Sequence, residues 1–157
     1  MGGAGHRVLR HALAGGEEAG DEVDIRIVAA EAELAMPETK IGTLPGWAGT
    51  RRLPALVGPA RAKQIVFTGA RLDADRAERW GLVNEVVPQS DLTARARALA
   101  EEIAANAPVA VQLAKAAIDG LPASLEAVAG ALAATTEDGR EGVASFREKR
   151  APRFEGR

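Results

Sequence analysis

The sequence predicts an α/β fold in which short strands and glycine-rich loops come first and a long helical stretch follows. Two observations support this order. Short apolar runs suited to strands occur before Asp91, at Asp24–Ala30, Leu34–Met36 and Leu82–Val87. From Asp91 onward, apolar residues recur at the spacing of amphipathic helices. The expected domains are residues 1–90, a partial strand-containing core, and residues 91–157, a helical region.

Composition is that of an ordinary globular protein. The 157 residues suit one domain or the larger part of one. The chain has no cysteine, which excludes disulfides and thiolate metal sites. The formal net charge is −2 and no basic stripe stands out, which argues against a nucleic-acid partner. No apolar run approaches the roughly 18 residues that span a bilayer, so we expect a cytoplasmic protein with no membrane partner. We also expect no metal site, because the chain lacks cysteine and neither histidine has a partner at metal-ligand spacing.

Glycine and proline divide the first half into short elements. Residues 1–20 hold many glycines without a clear period and are interpreted as loop. Residues 37–50 are too rich in glycine and proline for a helix interior or a central strand. The expected elements are strands at Asp24–Ala30 and Leu34–Met36, helices at Arg51–Val57, Pro59–Thr68 and Ala74–Trp80 with Asp73 as N-cap and Gly81 as stop, and a strand at Leu82–Val87.

The second half is expected to be helical throughout. The predicted helices are Asp91–Asn106, Pro108–Asp119, Leu125–Thr135 and Gly142–Lys149. So few short strands cannot close a sheet, and the exposed edge needs a cover. The pattern therefore suggests that a segment in front of this chain, or a partner, completes the sheet.

One carboxylate stands directly before a loop rich in glycine and proline. Residues 36–53 read MPETKIGTLPGWAGTRRL, so that Glu38 is followed by Gly42, Pro45 and Gly46. Such loops let the backbone approach a ligand closely. Glu38 is therefore a candidate acid or base, and the alternative is a surface carboxylate that caps the turn.

A second motif supports the interpretation of the first. Residues 68–88 read TGARLDADRAERWGLVNEVVP. In this order the two blocks resemble the enoyl-CoA hydratase/isomerase (crotonase) superfamily. The resemblance implies an α/β crotonase (ClpP-like) ββα spiral fold, N-terminally truncated, with a C-terminal helical trimerisation region. Residues 1–90 would then be a partial spiral core, since family chains carry a further N-terminal part.

The resemblance implies roles for the Glu38 loop. In the family, a PE dipeptide before a glycine-rich loop sets a catalytic glutamate beside the acyl chain of a CoA thioester. Pro37 and Glu38 match that dipeptide, and residues 42–50 match the loop with Ala48 in place of a common glycine. Gly46 falls where the family's backbone N–H holds the reacting water.

An upstream segment resembles the family's oxyanion loop. Residues 11–27 read HALAGGEEAGDEVDIRI. Gly15 matches a glycine whose backbone N–H stabilises the charge that develops on the thioester oxygen, a large contribution in such catalysis. Glu18 matches the family's second catalytic glutamate. The alternative is a solvated acidic loop, because Gly20, Asp21 and Glu22 replace residues that are apolar in the family.

The C-terminal tail resembles the family's last helix, which packs at a trimer interface. By that resemblance Phe146 and Lys149 would lie near the CoA nucleotide of a neighbouring subunit, and a lysine can meet a phosphate as a point charge. The alternative is a frayed basic terminus. The implied partners are an acyl-CoA substrate and further copies of the chain, as a trimer or a dimer of trimers. No separate cofactor is implied, because CoA is part of the substrate.

Three functional hypotheses follow. The first is an enoyl-CoA hydratase-like lyase that adds water to a 2-enoyl-CoA through Glu18 and Glu38, since hydration needs one group to take a proton from water and one to deliver a proton at the α carbon. The second is a non-catalytic or degenerate crotonase fragment that acts only as an oligomerisation module. The third keeps the thioester and changes the reaction, for example to double-bond isomerisation through Glu38 alone.

Overall fold

The computed structural model describes residues 24–46 and 49–157. They fall into two compact units that divide between Ala96 and Arg97. The Glu38 loop belongs to the first unit, and the last helix and the C-terminal tail belong to the second. The segment predicted to carry Gly15 and Glu18 lies outside the described residues.

Short strands form two small sheets in the first unit. The strands are β1 Ile27–Ala29, β2 Glu33–Leu34, β3 Leu72–Asp73 and β4 Glu85–Val87. β1 pairs with β4 in parallel, with Val28 opposite Val86, and β2 pairs with β3 antiparallel, with Leu34 opposite Leu72. The observed strands are shorter than the sequence predicts, and β3 was not predicted. A strand extends only as far as its residues pair with a neighbouring strand, and a short apolar run in the sequence does not show which segment that neighbour is.

The three predicted helices of the first unit are present, but the first begins at Gly49 and not at Arg51, the third ends at Arg79 and not at Trp80, and a short 3₁₀ helix that was not predicted precedes them. In chain order the elements are the 3₁₀ helix at Glu38–Ile41, α1 at Gly49–Val57, α2 at Pro59–Thr68 and α3 at Ala74–Arg79. The Asp73 side chain accepts a hydrogen bond from the Arg76 N–H at 2.7 Å, which confirms it as the N-cap of α3. Gly69 ends α2 at a φ of 52°, a left-handed conformation that suits glycine.

A single apolar cluster forms the core of the first unit. It is built from small and branched side chains of the strands and of α1 to α3, among which Leu53 is fully buried. Its members are Val28, Ala32, Leu34, Met36, Leu53, Val57, Ala62, Ile65, Leu72, Ala74, Ala77, Leu82 and Val83. Burying a leucine of this kind stabilises a protein by about 2 kcal/mol. Met36 carries the chain from this core directly into the Glu38 turn.

The helical half contrasts with this core. Its helices are α4 at Leu92–Ala104, which crosses the division between the units, α5 at Pro108–Ile118, α6 at Ala123–Thr135 and α7 at Glu137–Glu148. α4, α5 and α6 contain no buried side chain in the structure as described, although their apolar patterns predicted packed faces. Leu125, Val128 and Leu132 of α6 are exposed and recur at helical spacing. An exposed apolar stripe of this kind is a candidate surface for association.

The last helix begins earlier than predicted. The sequence suggests a start at Gly142, whereas α7 starts at Glu137. The hydroxyl of Thr136 accepts a hydrogen bond from the Gly139 N–H at 2.9 Å and so provides the N-cap.

The tail after α7 is fastened to that helix. The buried Asp138 carboxylate accepts hydrogen bonds from the backbone N–H groups of Glu155 and Gly156 at 2.7 and 2.8 Å. Glu141 pairs with Arg150 and also accepts from the Arg153 N–H. These contacts lower the pKa of Glu141 to about 2. The hydrogen bond from the Arg150 guanidinium is the largest cause, and the hydrogen bond from the Arg153 N–H is the second. The frayed terminus considered as an alternative is therefore wrong for residues 150–157.

Candidate functional site

Glu38 begins a tight turn whose backbone is fixed by the residues before and after it. Met36 is buried in the core and Pro37 precedes the turn, so the chain reaches Glu38 in a fixed direction. The Glu38 carbonyl accepts a hydrogen bond from the Thr43 N–H at 3.1 Å. Gly42 ends the 3₁₀ helix at a φ of 79°, which a residue with a side chain adopts only with strain. The backbone around Glu38 is therefore well defined.

The carboxylate of Glu38 is unusual in the described residues. Its Oε2 atom is buried and has no hydrogen-bond partner within the described parts of the chain. Burying a carboxylate oxygen without a partner is unfavourable, and native structures seldom retain such an atom without a functional reason. An oxygen in this position is suited to accept a hydrogen bond from a water molecule or to exchange a proton with a substrate.

The loop after Glu38 is anchored at its far end. The Pro45 side chain is fully buried, and the Gly49 N–H donates to the Gly46 carbonyl at 2.9 Å as α1 begins. Gly46 itself is exposed, and a Cβ built there would meet no atom within 4 Å. The predicted water-positioning glycine therefore lies beside open space on a loop that Pro45 holds in place.

Phe146 and Lys149 lie together at the end of α7 in the second unit. Phe146 is 86% exposed, and the Lys149 N–H donates to its carbonyl at 3.4 Å. Lys149 has a φ of 53° and is the one non-glycine residue with a positive φ in the described ranges. This left-handed conformation is common at the end of a helix, and Lys149 is the C-cap of α7. Both side chains are exposed, and the assignment of both residues to CoA binding stays a prediction.

The structure thus describes only part of the predicted site. Glu38 and Gly46 lie on one loop of the first unit, and Phe146 and Lys149 lie at one helix end of the second. Gly15 and Glu18 fall outside the described residues. Sequence reasoning missed Thr39, whose hydroxyl donates to the Val66 carbonyl at 2.6 Å and so joins the Glu38 turn to α2. No local pattern signals this contact, because its acceptor is a backbone atom distant in sequence.

Other kinds of site have little support in the described ranges. No group of three or more His, Cys, Asp or Glu side chains there is arranged to hold a metal ion. No helix described in the structure is long and apolar enough to cross a membrane. A cavity of about 770 Å³ lies between α7 and the tail, and its Arg150 and Arg157 are ion-paired with Glu141 and Glu137. Its charged lining is engaged in holding the tail.

Known proteins resemble the chain over nearly its whole length. Residues 7–157 match the family model described as enoyl-CoA hydratase/isomerase. An enoyl-CoA hydratase domain-containing protein 2, mitochondrial, from Bos taurus is 45% identical, over 92% of this chain and 53% of that protein. A short-chain-enoyl-CoA hydratase from Clostridium acetobutylicum is 42% identical, over 88% of this chain and 56% of its own length. The chain thus spans about half the length of these relatives.

Solved structures give the same result for the fold. An enoyl-CoA hydratase from Bacillus anthracis superposes with a TM-score of 0.78 and 40% sequence identity, over 85% of this chain and 55% of that chain. The described elements are mostly helical with small sheets, as expected for part of that fold. The predicted crotonase fold is therefore confirmed for the superposed part.

Proposed function

We propose that this chain, which belongs to the enoyl-CoA hydratase/isomerase (crotonase) family, is an enoyl-CoA hydratase-like lyase. It would add water to a 2-enoyl-CoA thioester in fatty-acid-type metabolism. The observation that carries the proposal is the buried, unpartnered Oε2 of Glu38 at the start of a glycine-rich turn. The named hydratases among the relatives support the same substrate class.

In the proposed reaction two carboxyl groups act on opposite sides of one water molecule. Glu38 and Glu18 would share the proton transfers, one taking a proton from water as its oxygen bonds to the β carbon and the other delivering a proton to the α carbon. The Gly46 N–H would orient the water. The Gly15 N–H would stabilise the negative charge on the thioester oxygen.

The proposal extends to binding and assembly. Phe146 and Lys149 would contact the CoA nucleotide of a neighbouring copy, as an exposed ring and an exposed cation can do. A homo-oligomer, a trimer or a dimer of trimers, would cover the exposed apolar stripe of α6. Residues 1–90 would form the partial spiral core and 91–157 the assembly region. We propose a cytoplasmic location, although the Bos taurus relative is named as mitochondrial.

One observation favours a second candidate function. Helices α4, α5 and α6 bury no side chain in the described structure, as expected of a region whose main role is association with other copies. A non-catalytic oligomerisation module would retain these helices without turnover. Double-bond isomerisation is a further alternative, because it needs a single carboxylate that moves a proton along the acyl chain.

The decisive experiment is a hydration assay on the purified chain with a short 2-enoyl-CoA. We expect turnover in the wild type and a decrease in kcat of roughly 10²- to 10⁴-fold in Glu38→Gln, because the amide cannot exchange the proton. Glu31→Gln is the matched control, since Glu31 is an exposed carboxylate in the turn between β1 and β2. A folded wild type without turnover would favour the assembly module, and a shifted double bond without added water would identify an isomerase.

A further inference from the structure

The two residues after Glu38 fasten its turn to helix α2. Thr39 Oγ1 donates a hydrogen bond to the Val66 carbonyl oxygen at 2.6 Å. Val66 lies in the last turn of α2, where carbonyl groups lack a donor from within the helix. The Thr39 hydroxyl therefore satisfies a helix-end carbonyl and, by the same bond, holds the turn in place.

Lys40 adds a second contact at the same helix end. A Cβ built at Gly69 would lie 2.9 Å from Lys40 Cε and 3.2 Å from Lys40 Cδ. The absence of a side chain at Gly69 thus leaves room for the lysine stem to lie across the end of α2. Two successive residues of the Glu38 turn are therefore packed against one helix.

We infer that Thr39 is a positioning residue for Glu38, through which helix α2 fixes the direction of the catalytic carboxylate. This inference rests on the proposed function of Glu38. The Oε2 atom has no hydrogen-bond partner in the described residues that would hold it. The backbone of the turn therefore sets the point and direction from which the Glu38 side chain leaves the chain, and Thr39 ties that backbone to α2. A misplacement of about 1 Å at a reacting group can lower the rate by up to roughly 100-fold.

Three variants separate positioning from general stability. Thr39→Val removes the hydroxyl and keeps the shape of the side chain, whereas Thr39→Ser restores the donor. Thr68→Val is the control: the Thr68 hydroxyl also donates to a backbone carbonyl at this helix end, that of Gln64 at 2.7 Å, and accepts from the Ala70 N–H at 3.1 Å, but neither bond involves the Glu38 turn.

The first readout is steady-state hydration of a short 2-enoyl-CoA by the full chain. In Thr39→Val we expect kcat to decrease at least roughly tenfold while KM changes by less than about twofold. Thr39→Ser should recover most of the kcat, and Thr68→Val should match the wild type. A decrease that Thr68→Val reproduces, or that Thr39→Ser fails to reverse, would overturn the inference.

The second readout does not depend on turnover. The amides of Lys40, Gly42 and Thr43 all donate within the Glu38 turn, so their hydrogen exchange reports how firmly the turn is held. We expect faster exchange in Thr39→Val and unchanged exchange in Thr68→Val. If the wild type shows no hydration at all, the proposed function fails, and unchanged exchange in Thr39→Val would separately refute the role of Thr39.

Discussion

Two partly or fully buried carboxylates in this chain differ in how their oxygens are used. Both oxygens of Asp138 accept a backbone N–H from the tail, so this carboxylate is fully engaged in structure. Oε2 of Glu38 is buried without a described partner. Because an unsatisfied buried oxygen opposes folding, its retention supports the chemical role proposed for Glu38. Pairing, more than burial, separates a structural carboxylate from a candidate catalytic one.

Asp138 provides a prediction at the scale of one residue. In Asp138→Asn one oxygen becomes an NH₂ group that faces a backbone donor, and we expect a loss of about 1–3 kcal/mol. The neighbouring Glu137→Gln disturbs only an exposed ion pair with Arg157 and should cost less than about 1 kcal/mol. Chemical denaturation of both variants measures the difference. Equal losses in the two variants would show that Asp138 does not hold the tail.

At the scale of elements, the junction of α6 and α7 depends on one glycine. A Cβ built at Gly139 would collide with the Ala133 carbonyl oxygen and would lie 3.1 Å from the Ala134 backbone. We expect Gly139→Ala to destabilise the chain by about 1–3 kcal/mol, because backbone atoms must move. Gly130→Ala, in the open interior of α6, should instead stabilise by about 0.5–1 kcal/mol. Thermal unfolding distinguishes the two, and a harmless Gly139→Ala would contradict the described junction.

The elements also show what sequence can predict. Pro59–Thr68 and the cap at Asp73 were predicted correctly, because helix boundaries depend on local residues. The strands were predicted less well: β3 has two residues, and its pairing with β2 is decided by packing. The family was identified from two motifs in order, and the first of these motifs also gave Glu38 as a candidate catalytic residue, which stays a prediction. The contact of Thr39 could not be predicted, since it depends on how α2 ends in space.

At the scale of the molecule, apolar burial is uneven. Every apolar side chain that is buried in the described residues lies between Val28 and Val83. The α6 stripe of Leu125, Val128 and Leu132 remains about half exposed. A helical region of this kind gains its stability when another surface covers it. This is the physical basis for the proposed homo-oligomer.

The stripe provides a prediction about assembly. In sedimentation velocity the wild type should run as an oligomer, and Val128→Asp should shift it toward monomer, because a charge would be buried at the interface. Ala127→Asp adds the same charge to an exposed residue on another face of α6 and should leave the oligomer intact. A wild type that stays monomeric on concentration, or equal effects of the two variants, would contradict assembly through this stripe.

The central proposal is that Glu38 takes part in the proton transfers by which water is added to and removed from an acyl-CoA. The most direct test is proton NMR of a short 3-hydroxyacyl-CoA incubated with the chain in D₂O. Reversible loss and addition of water should place deuterium at the α carbon with the wild type and with Glu31→Gln, and this exchange should be lost in Glu38→Gln. Exchange at an unchanged rate in Glu38→Gln, or none with the folded wild type, would contradict the account.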